Sequence, residues 1–99
     1  MYNIRMESLR FEWDPAKAKS NLTKHGVSFE EATSAFADED GKVIPSPDYA
    51  DDEDRFVLLG FSRQDRLLVV VHCFRVERLV IRIISARKAT RKERDQYGW

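Results

Sequence analysis

Three apolar runs separated by short polar connections dominate the second half of the chain, and they restrict the fold more than any other feature. The runs span residues 55–62, 67–74 and 79–86, and the connections between them are 63–66 and 76–78. Runs of this length that are rich in Val and Ile predict strands. Connections this short join neighbouring strands only in the antiparallel sense. We therefore expect an antiparallel sheet made of two successive hairpins.

The caps of the first helix can be read directly from the sequence. Asp14 precedes Pro15, and this pair opens a helix because Asp accepts backbone N–H groups and Pro tolerates the first helical position. The helix should run to about His25 and end at Gly26, which favours the left-handed backbone of a helix end. Helical spacing predicts a packed stripe of Ala18, Leu22 and His25 and an exposed stripe of Lys17, Asn21 and Lys24.

Capping boxes predict two more helices. Ser28 with Glu31 opens a helix that ends near Asp38, and Thr90 with Glu93 opens a helix that runs toward the end of the chain. The first of these should bury Phe29, Ala32 and Phe36.

Together these elements predict an α+β domain with the order β-α-α-β-β-β-β-α. Residues 10–13 and 42–45 supply two short strands. Because of Pro45, the second strand must either lie at a sheet edge or end at this residue. We expect an antiparallel sheet of four to five strands, with the two N-terminal helices packed on one face and a C-terminal helix. Residues 1–9 are predicted to form a flexible extension, and residues 10–99 a single domain.

Cysteine content and hydropathy exclude several classes of protein. A single cysteine, Cys73, rules out an internal disulfide and a zinc site built on several thiolates. The longest aliphatic run, 67–71, is far shorter than the roughly 20 residues of a membrane helix, and no signal-peptide pattern precedes it. We therefore expect a cytoplasmic protein with no membrane contact, no metal and no cofactor.

The net charge of zero conceals two oppositely charged segments. Residues 38–54 contain eight acids and one base, whereas residues 75–94 contain eight bases and two acids. Most of these bases are Arg, whose rigid fork of donors matches phosphate oxygens in pairs. The basic segment therefore indicates a nucleic-acid partner, with a merely solvated surface as the alternative. For the acidic segment, a solvated loop is the simpler explanation.

The pairing register of the second hairpin decides what the sheet displays. A three-residue loop would pair Arg75 with Leu79 and set His72 opposite Arg82. The other face would then be an apolar floor for the helices, formed by Val69, Val71, Cys73, Ile81 and Ile83. A two-residue turn would instead pair His72 with Ile81. We favour the first register because it separates polar from apolar side chains.

Arg82 lies in the middle of an aliphatic strand. A charge at such a position has to be paired with an opposite charge, exposed to solvent or used to bind a ligand. It either forms an ion pair with an acid on a neighbouring strand or binds an anion on an open sheet face. Arg91 and Lys92 occur in the first turn of the C-terminal helix, where the helix dipole disfavours cations. A local rule broken at this position favours anion binding, with indifferent surface placement as the alternative, because the cost is below ~1 kcal/mol.

RNA cleavage without a metal needs a proton acceptor for the 2′-hydroxyl, a cation for the phosphorane and a proton donor for the leaving oxygen. Arg82 can supply the cation but stays protonated. The candidate proton carriers are Lys24, His25, His72 and Glu77, although the two histidines and Glu77 can equally have structural or solvated positions. The sequence shows no recognisable Ser/His/Asp, Cys/His or paired-carboxylate set. A non-catalytic module that binds nucleic acid or a partner through the same basic face is therefore the alternative.

Two separate motifs resemble the signatures of BrnT-type toxins of type II toxin–antitoxin systems. The N-terminal motif consists of FEWDPAK at 11–17, Asn21 and KHGVSFEEA at 24–32. The C-terminal motif consists of IRIISARKAT at 81–90, Glu93 and Tyr97. The resemblance implies a RelE-like ribonuclease fold and a toxin that inhibits translation by cutting RNA. It also implies a BrnA-like antitoxin that neutralises the toxin, and a joint complex that represses its own operon through the antitoxin's contact with DNA.

The predicted site combines the resemblance with the strand geometry. The family's basic positions fall on Lys24, His25, Arg82 and Arg87, and the strand geometry adds His72 to this catalytic set. The residues predicted to bind RNA are Arg63, Arg75, Lys88, Arg91 and Lys92.

Overall fold

The structure, a computed structural model, describes residues 9–46, 55–75 and 77–98. Its five strands are β1 (Arg10–Glu12), β2 (Lys42–Pro45), β3 (Arg55–Phe61), β4 (Leu67–Arg75) and β5 (Val80–Lys88). Its helices are α1 (Pro15–His25), α2 (Phe29–Ser34), which continues into a single 3₁₀ turn at Ala35–Ala37, and α3 (Arg91–Tyr97). The predicted α+β class and element order are confirmed.

One mixed sheet carries all five strands in the order β1-β5-β4-β3-β2. The neighbours from β2 to β5 pair antiparallel, as expected from the short connections, whereas β1 pairs parallel with β5. The strand that ends in Pro45 lies at the sheet edge, as predicted. At the other edge, β1 covers only the stretch of β5 from Val80 to Arg82.

Both predicted registers of the second hairpin are wrong. Arg75 pairs with Val80 and Cys73 with Arg82, so the connection holds four residues rather than three or two. Leu79 adopts the left-handed backbone with φ 53°, which an aliphatic residue rarely does and which the pattern did not signal. As a result His72 pairs with Ile83, and it does not lie beside Arg82.

The sheet has two distinct faces, which we call the core face and the open face. The core face packs under α1 and α2 and includes Leu68, Val70, His72, Ile81 and Ile83. The open face carries Val69, Val71, Cys73, Arg82 and Arg87, and α3 covers one end of it. The predicted apolar floor is therefore correct for Ile81 and Ile83 and wrong for the three β4 residues, which lie on the open face.

Helix α1 has the predicted caps, and its predicted faces hold in part: Ala18 packs against the core and Lys17 and Lys24 are exposed, but Asn21 and Leu22 are reversed. The Asp14 carboxylate accepts from the Ala16 N–H at 2.9 Å, and Gly26 closes the helix with φ 69°. Asn21, expected to be exposed, is buried, while Leu22, expected to pack, is 51% exposed. A polar amide can point inward here because it finds backbone partners on β5.

The two predicted capping boxes have different outcomes. Thr90 and Glu93 form a complete box at the start of α3. Ser28 caps α2 by accepting from the Glu31 N–H, but the Glu31 carboxylate turns away to Ser62 and Arg66. The prediction therefore holds for the cap of α2 and fails for its reciprocal bond, because the buried Glu31 carboxylate binds the partly exposed Arg66 guanidinium instead.

Three expectations, on the N-terminal extension, the acidic segment and membrane helices, can be compared only with the described residues. Leu9, the last residue of the predicted extension, is buried in the core, and residues 1–8 lie outside the described part. The acidic residues between 47 and 54 also lie outside it. Among the described residues, no helix has the length and hydropathy required to cross a membrane.

Candidate active site

An extra residue in β5 brings two predicted catalytic arginines to the same face. Arg82 and Arg87 are five positions apart, so regular alternation would place them on opposite faces of the sheet. The register shifts between His72–Ile83 and Val71–Ser85, which leaves Ile84 as a bulge. Arg82 then pairs with Cys73 and Arg87 with Val69, and both partners lie on the open face. The bulge therefore creates a row of two guanidinium groups along β5.

Asn21 completes the edge of β5 where β1 has ended. Its side-chain amide donates to the Ala86 carbonyl at 2.8 Å, and its carbonyl accepts from the Ala86 N–H at 3.1 Å. A third bond runs from the same amide nitrogen to the Val27 carbonyl at 3.0 Å. Asn21 thus replaces a neighbouring strand for one residue and fixes α1, and the turn after it, against β5.

A shallow cleft of about 200 Å³ opens between α1 and β5 beside this anchor. Its lining comprises Lys17, Ser20, Asn21, Lys24, His25, Ile84 and Ser85. Two of the predicted catalytic residues, Lys24 and His25, therefore line a common cleft at the bulged strand. Lys24 is exposed and His25 partly exposed, so both can reach a bound ligand.

The exposed Arg82 guanidinium is paired with a neighbouring acid. Its Nη1 donates to the Glu12 Oε2 at 3.1 Å, across the β1–β5 pair that also aligns the two residues. The side chains are 44% and 55% exposed. Ion pairs this exposed contribute about 0–1 kcal/mol. A phosphate can therefore displace the Glu12 carboxylate at small cost, and the two alternatives left open for Arg82 are compatible.

Arg87 is held more firmly than Arg82. Its two terminal nitrogens donate to both oxygens of Glu93, at 2.8 and 2.9 Å. Glu93 also accepts from the Thr90 N–H at 2.8 Å, so one carboxylate caps α3 and binds Arg87. The hydrogen bonds from Arg87 lower the pKa of Glu93 to about 2. Arg87 therefore anchors α3 on the open face as well as adding charge to it.

His72 is fully buried in the core, contrary to the expectation that it shares a surface with Arg82. It pairs with Ile83, its ring contacts Phe36 edge-on at 4.8 Å, and its Nδ1 lies 3.1 Å from the Val70 carbonyl oxygen. Burial lowers its pKa to about 4, because the charged imidazolium would lose its hydration. The register error explains the misplacement.

The predicted RNA-binding residues divide into separate groups. Lys88, Arg91 and Lys92 are exposed and follow Arg87 at the end of β5 and the start of α3. Arg75 lies at the hairpin end of β4, and Arg63 lies in the turn that precedes β4. Since β4 alone spans roughly 25 Å, Arg63 and Arg75 do not belong to one contact patch. The group that follows Arg87 is the one that continues the row of bases from β5 into α3.

Sequence reasoning missed three residues that shape this site. Glu12 pairs with Arg82, Glu93 pairs with Arg87, and Asn21 anchors the cleft. All three carried a signal, as members of the two motifs, but none of their roles followed from that membership or from helical spacing. Among the described residues, no group of three or more His, Cys, Asp or Glu side chains is arranged to hold a metal ion.

A family model described as the ribonuclease toxin BrnT of type II toxin–antitoxin systems matches residues 13–93. The chain belongs to the BrnT family. The fold agrees with a 1.1 Å crystal structure of the Brucella abortus ribonuclease toxin BrnT, with a TM-score of 0.60 and 26% sequence identity. That match covers 84% of this chain and 99% of the Brucella chain. No curated protein sequence matches significantly. The BrnT resemblance of the two motifs is therefore confirmed.

Proposed function

We propose that this BrnT-family chain is an endoribonuclease toxin that cleaves RNA without a metal ion and so inhibits translation. The observation that carries the proposal is the bulge at Ile84. It sets Arg82 and Arg87 on the open face, and the bulged residue Ile84 lines the cleft that contains Lys24 and His25. RNA would lie along β5, and its backbone would continue over Lys88, Arg91 and Lys92.

The chemistry follows from the internal nucleophile of RNA. The 2′-oxygen attacks phosphorus, the bond from phosphorus to the 5′-oxygen breaks, and the products are a 2′,3′-cyclic phosphate and a 5′-hydroxyl. Arg82 stabilises the negative charge that builds up on the phosphorane oxygens. Lys24 and His25 are the proposed proton carriers, since one group must accept the 2′-hydroxyl proton and another must protonate the leaving oxygen. Buried His72 is not part of this proposal.

The ion pairs of the two arginines give them different roles. Releasing Arg82 from exposed Glu12 costs at most about 1 kcal/mol, which a charge-assisted bond to phosphate of about 1.5–3 kcal/mol offsets. Arg87 keeps its bidentate contact with Glu93 and contributes by position and long-range attraction. We therefore assign the phosphate contact at the scissile bond to Arg82.

The toxin family implies a partner that restrains the enzyme. We propose a BrnA-like antitoxin that neutralises this chain in the cytoplasm and represses the shared operon together with it. Contact with DNA would then come only through the antitoxin. This part of the proposal is supported by family membership.

The experiment is an incubation of purified chain with a defined RNA in excess EDTA, followed by mapping of the new RNA ends. The proposal expects cleavage with 2′,3′-cyclic phosphate ends, and no cleavage where a 2′-deoxynucleotide replaces the ribonucleotide at the cut site. Binding of the RNA without new ends would favour the non-catalytic module. Cleavage only after addition of a divalent ion would contradict the metal-independent mechanism.

A further inference from the structure

The open face carries an aliphatic row that is only partly covered. Ile44, Val57 and Val71 are aligned across β2, β3 and β4 by the strand registers. Ile44 is 56% exposed, and the other two are partly exposed. A groove of about 190 Å³ adjoins this row and is lined mainly by aliphatic side chains. A contiguous apolar surface that is rimmed by polar residues is typical of an interaction site.

Helix α3 borders this row on one side. It lies across the strands, because Glu93 contacts Arg87 on β5 while Lys42 on β2 donates from its Nζ to the Gln96 carbonyl at 2.7 Å. The helix therefore covers the row that joins Arg87, Val69, Leu59 and Lys42. The aliphatic row is the next one along the strands, about 7 Å away.

Arginines border the row on its other side. The registers align Arg82, Cys73 and Arg55 in the following row, and Arg75 lies one row farther on. The distance along the strands from the row under α3 to the row of Arg82 is about 13 Å, given the rise per residue of a strand. Packed helices need 8–10 Å between their axes. On the part of the open face formed by the described residues, the distance between α3 and the row of Arg82 therefore accommodates one additional helix.

We propose that the antitoxin docks an acidic amphipathic helix in this space, side by side with α3. Its apolar stripe would cover Ile44, Val57 and Val71, and carboxylates on one flank would lie over Arg55, Arg75 and Arg82. The inference rests on the proposed function because it takes the partner to be the antitoxin and places it over Arg82. Neutralisation then occurs by occlusion, since the docked helix occupies the position of the RNA phosphate.

The chemistry of the row favours a protein over RNA as its occupant. Single-stranded nucleic acid binds such surfaces by stacking bases on aromatic rings, and the row offers aliphatic side chains instead. An amphipathic helix binds a groove of this kind by packing its apolar side chains into it. The neighbouring arginines select a partner with acidic residues.

The test compares Ile44→Glu with Leu22→Glu in binding to the protein encoded by the neighbouring reading frame. Ile44 and Leu22 are matched in exposure, at 56% and 51%, and Leu22 lies on α1, on the other side of the molecule from the row. Ile44→Glu should weaken binding in titration calorimetry by at least about tenfold, while Leu22→Glu leaves the affinity unchanged. Circular dichroism and melting temperature verify that both variants fold. High salt should weaken binding by the unmodified chain.

Several outcomes would overturn the docking surface. These are unchanged affinity of Ile44→Glu, equal losses in both variants, no binding by the unmodified chain, or an affinity that salt does not alter. Loss of RNA affinity in Ile44→Glu would identify RNA as the occupant, and a change in oligomeric state would identify a second copy of the chain. Neither variant alters the proposed RNA-contacting residues, so both should cleave RNA alone. If binding depends on Ile44 but no form cleaves RNA, the docking surface stands and the ribonuclease proposal fails.

Discussion

Asn21 offers the most direct test of how the cleft is assembled. Its side chain makes three hydrogen bonds with backbone groups, to the Ala86 N–H, the Ala86 carbonyl and the Val27 carbonyl, at 2.8 to 3.1 Å. In Asn21→Ala all three backbone groups lose their partner in a buried position. Asn21 is 7% exposed, so water replaces these bonds poorly.

The expected destabilisation follows from those three bonds. A net contribution of about 1 kcal/mol for each bond gives about 3 kcal/mol, and unpaired buried groups raise the cost further. For a domain of this size, about 3 kcal/mol lowers the melting temperature by about 12–24 °C. Because small domains are stable by only about 5–15 kcal/mol, Asn21→Ala should be markedly less stable.

Urea and thermal unfolding followed by circular dichroism measure this effect. The control is Ser20→Ala, which changes the adjacent exposed residue of the same helix and the same cleft and should stay within about 0.5 kcal/mol of the unmodified chain. An Asn21→Ala variant as stable as Ser20→Ala would refute the role of Asn21 as a substitute strand, and with it the stated position of α1 against β5.

Two further predictions concern the attachment of α3. Glu93→Gln keeps an acceptor for the helix cap but removes the charge. The lowering of the Glu93 pKa from 4.5 to about 2 corresponds to at most about 3 kcal/mol of folding stability. Because the Arg87 side chain is 42% exposed, we expect Glu93→Gln to lose only about 1–2 kcal/mol of stability at neutral pH. Because the pKa of Glu93 is lowered in the folded state, this stabilisation is complete above pH 4.5 and disappears as the pH falls toward 2. The free energies of unfolding of the unmodified chain and Glu93→Gln, measured by urea titration, should therefore converge near pH 2. Tyr97→Phe removes the 2.7 Å bond to Asp38 and should cost about 1 kcal/mol in the same assay, whereas no loss would contradict the contribution of that bond.

The secondary structure was largely predictable because its signals are local. Asp14 and Thr90 accept from backbone N–H groups two and three residues ahead, so their effect does not depend on the rest of the fold. The strand runs were readable for the same reason, and β2 begins and ends at the predicted residues. Strand partners across a hairpin depend instead on the turn between them. The left-handed backbone of Leu79 makes that turn longer than predicted, and no glycine in the sequence indicates this conformation.

The site was predictable in residue type and not in geometry. The bulge at Ile84 lies in a strand with aliphatic residues on both faces, so the shift by one residue leaves no break in the hydropathy pattern. Asn21 was assigned to the exposed side of α1 because helical spacing treats a polar side chain as solvated. Its burial depends on Ala86, which is 65 residues away, and no local pattern contains that information.

The central claim is that Arg82, aligned on the open face by the bulge, stabilises the charge formed during RNA cleavage. The most direct measurement is the cleavage rate in excess EDTA of Arg82→Ala beside Arg78→Ala, which removes an exposed arginine from the adjacent hairpin. Arg82→Ala should cleave at least about 100-fold more slowly, while Arg78→Ala retains the unmodified rate and both variants stay folded. If folded Arg82→Ala cleaves RNA as fast as Arg78→Ala, Arg82 does not stabilise the charge formed during cleavage.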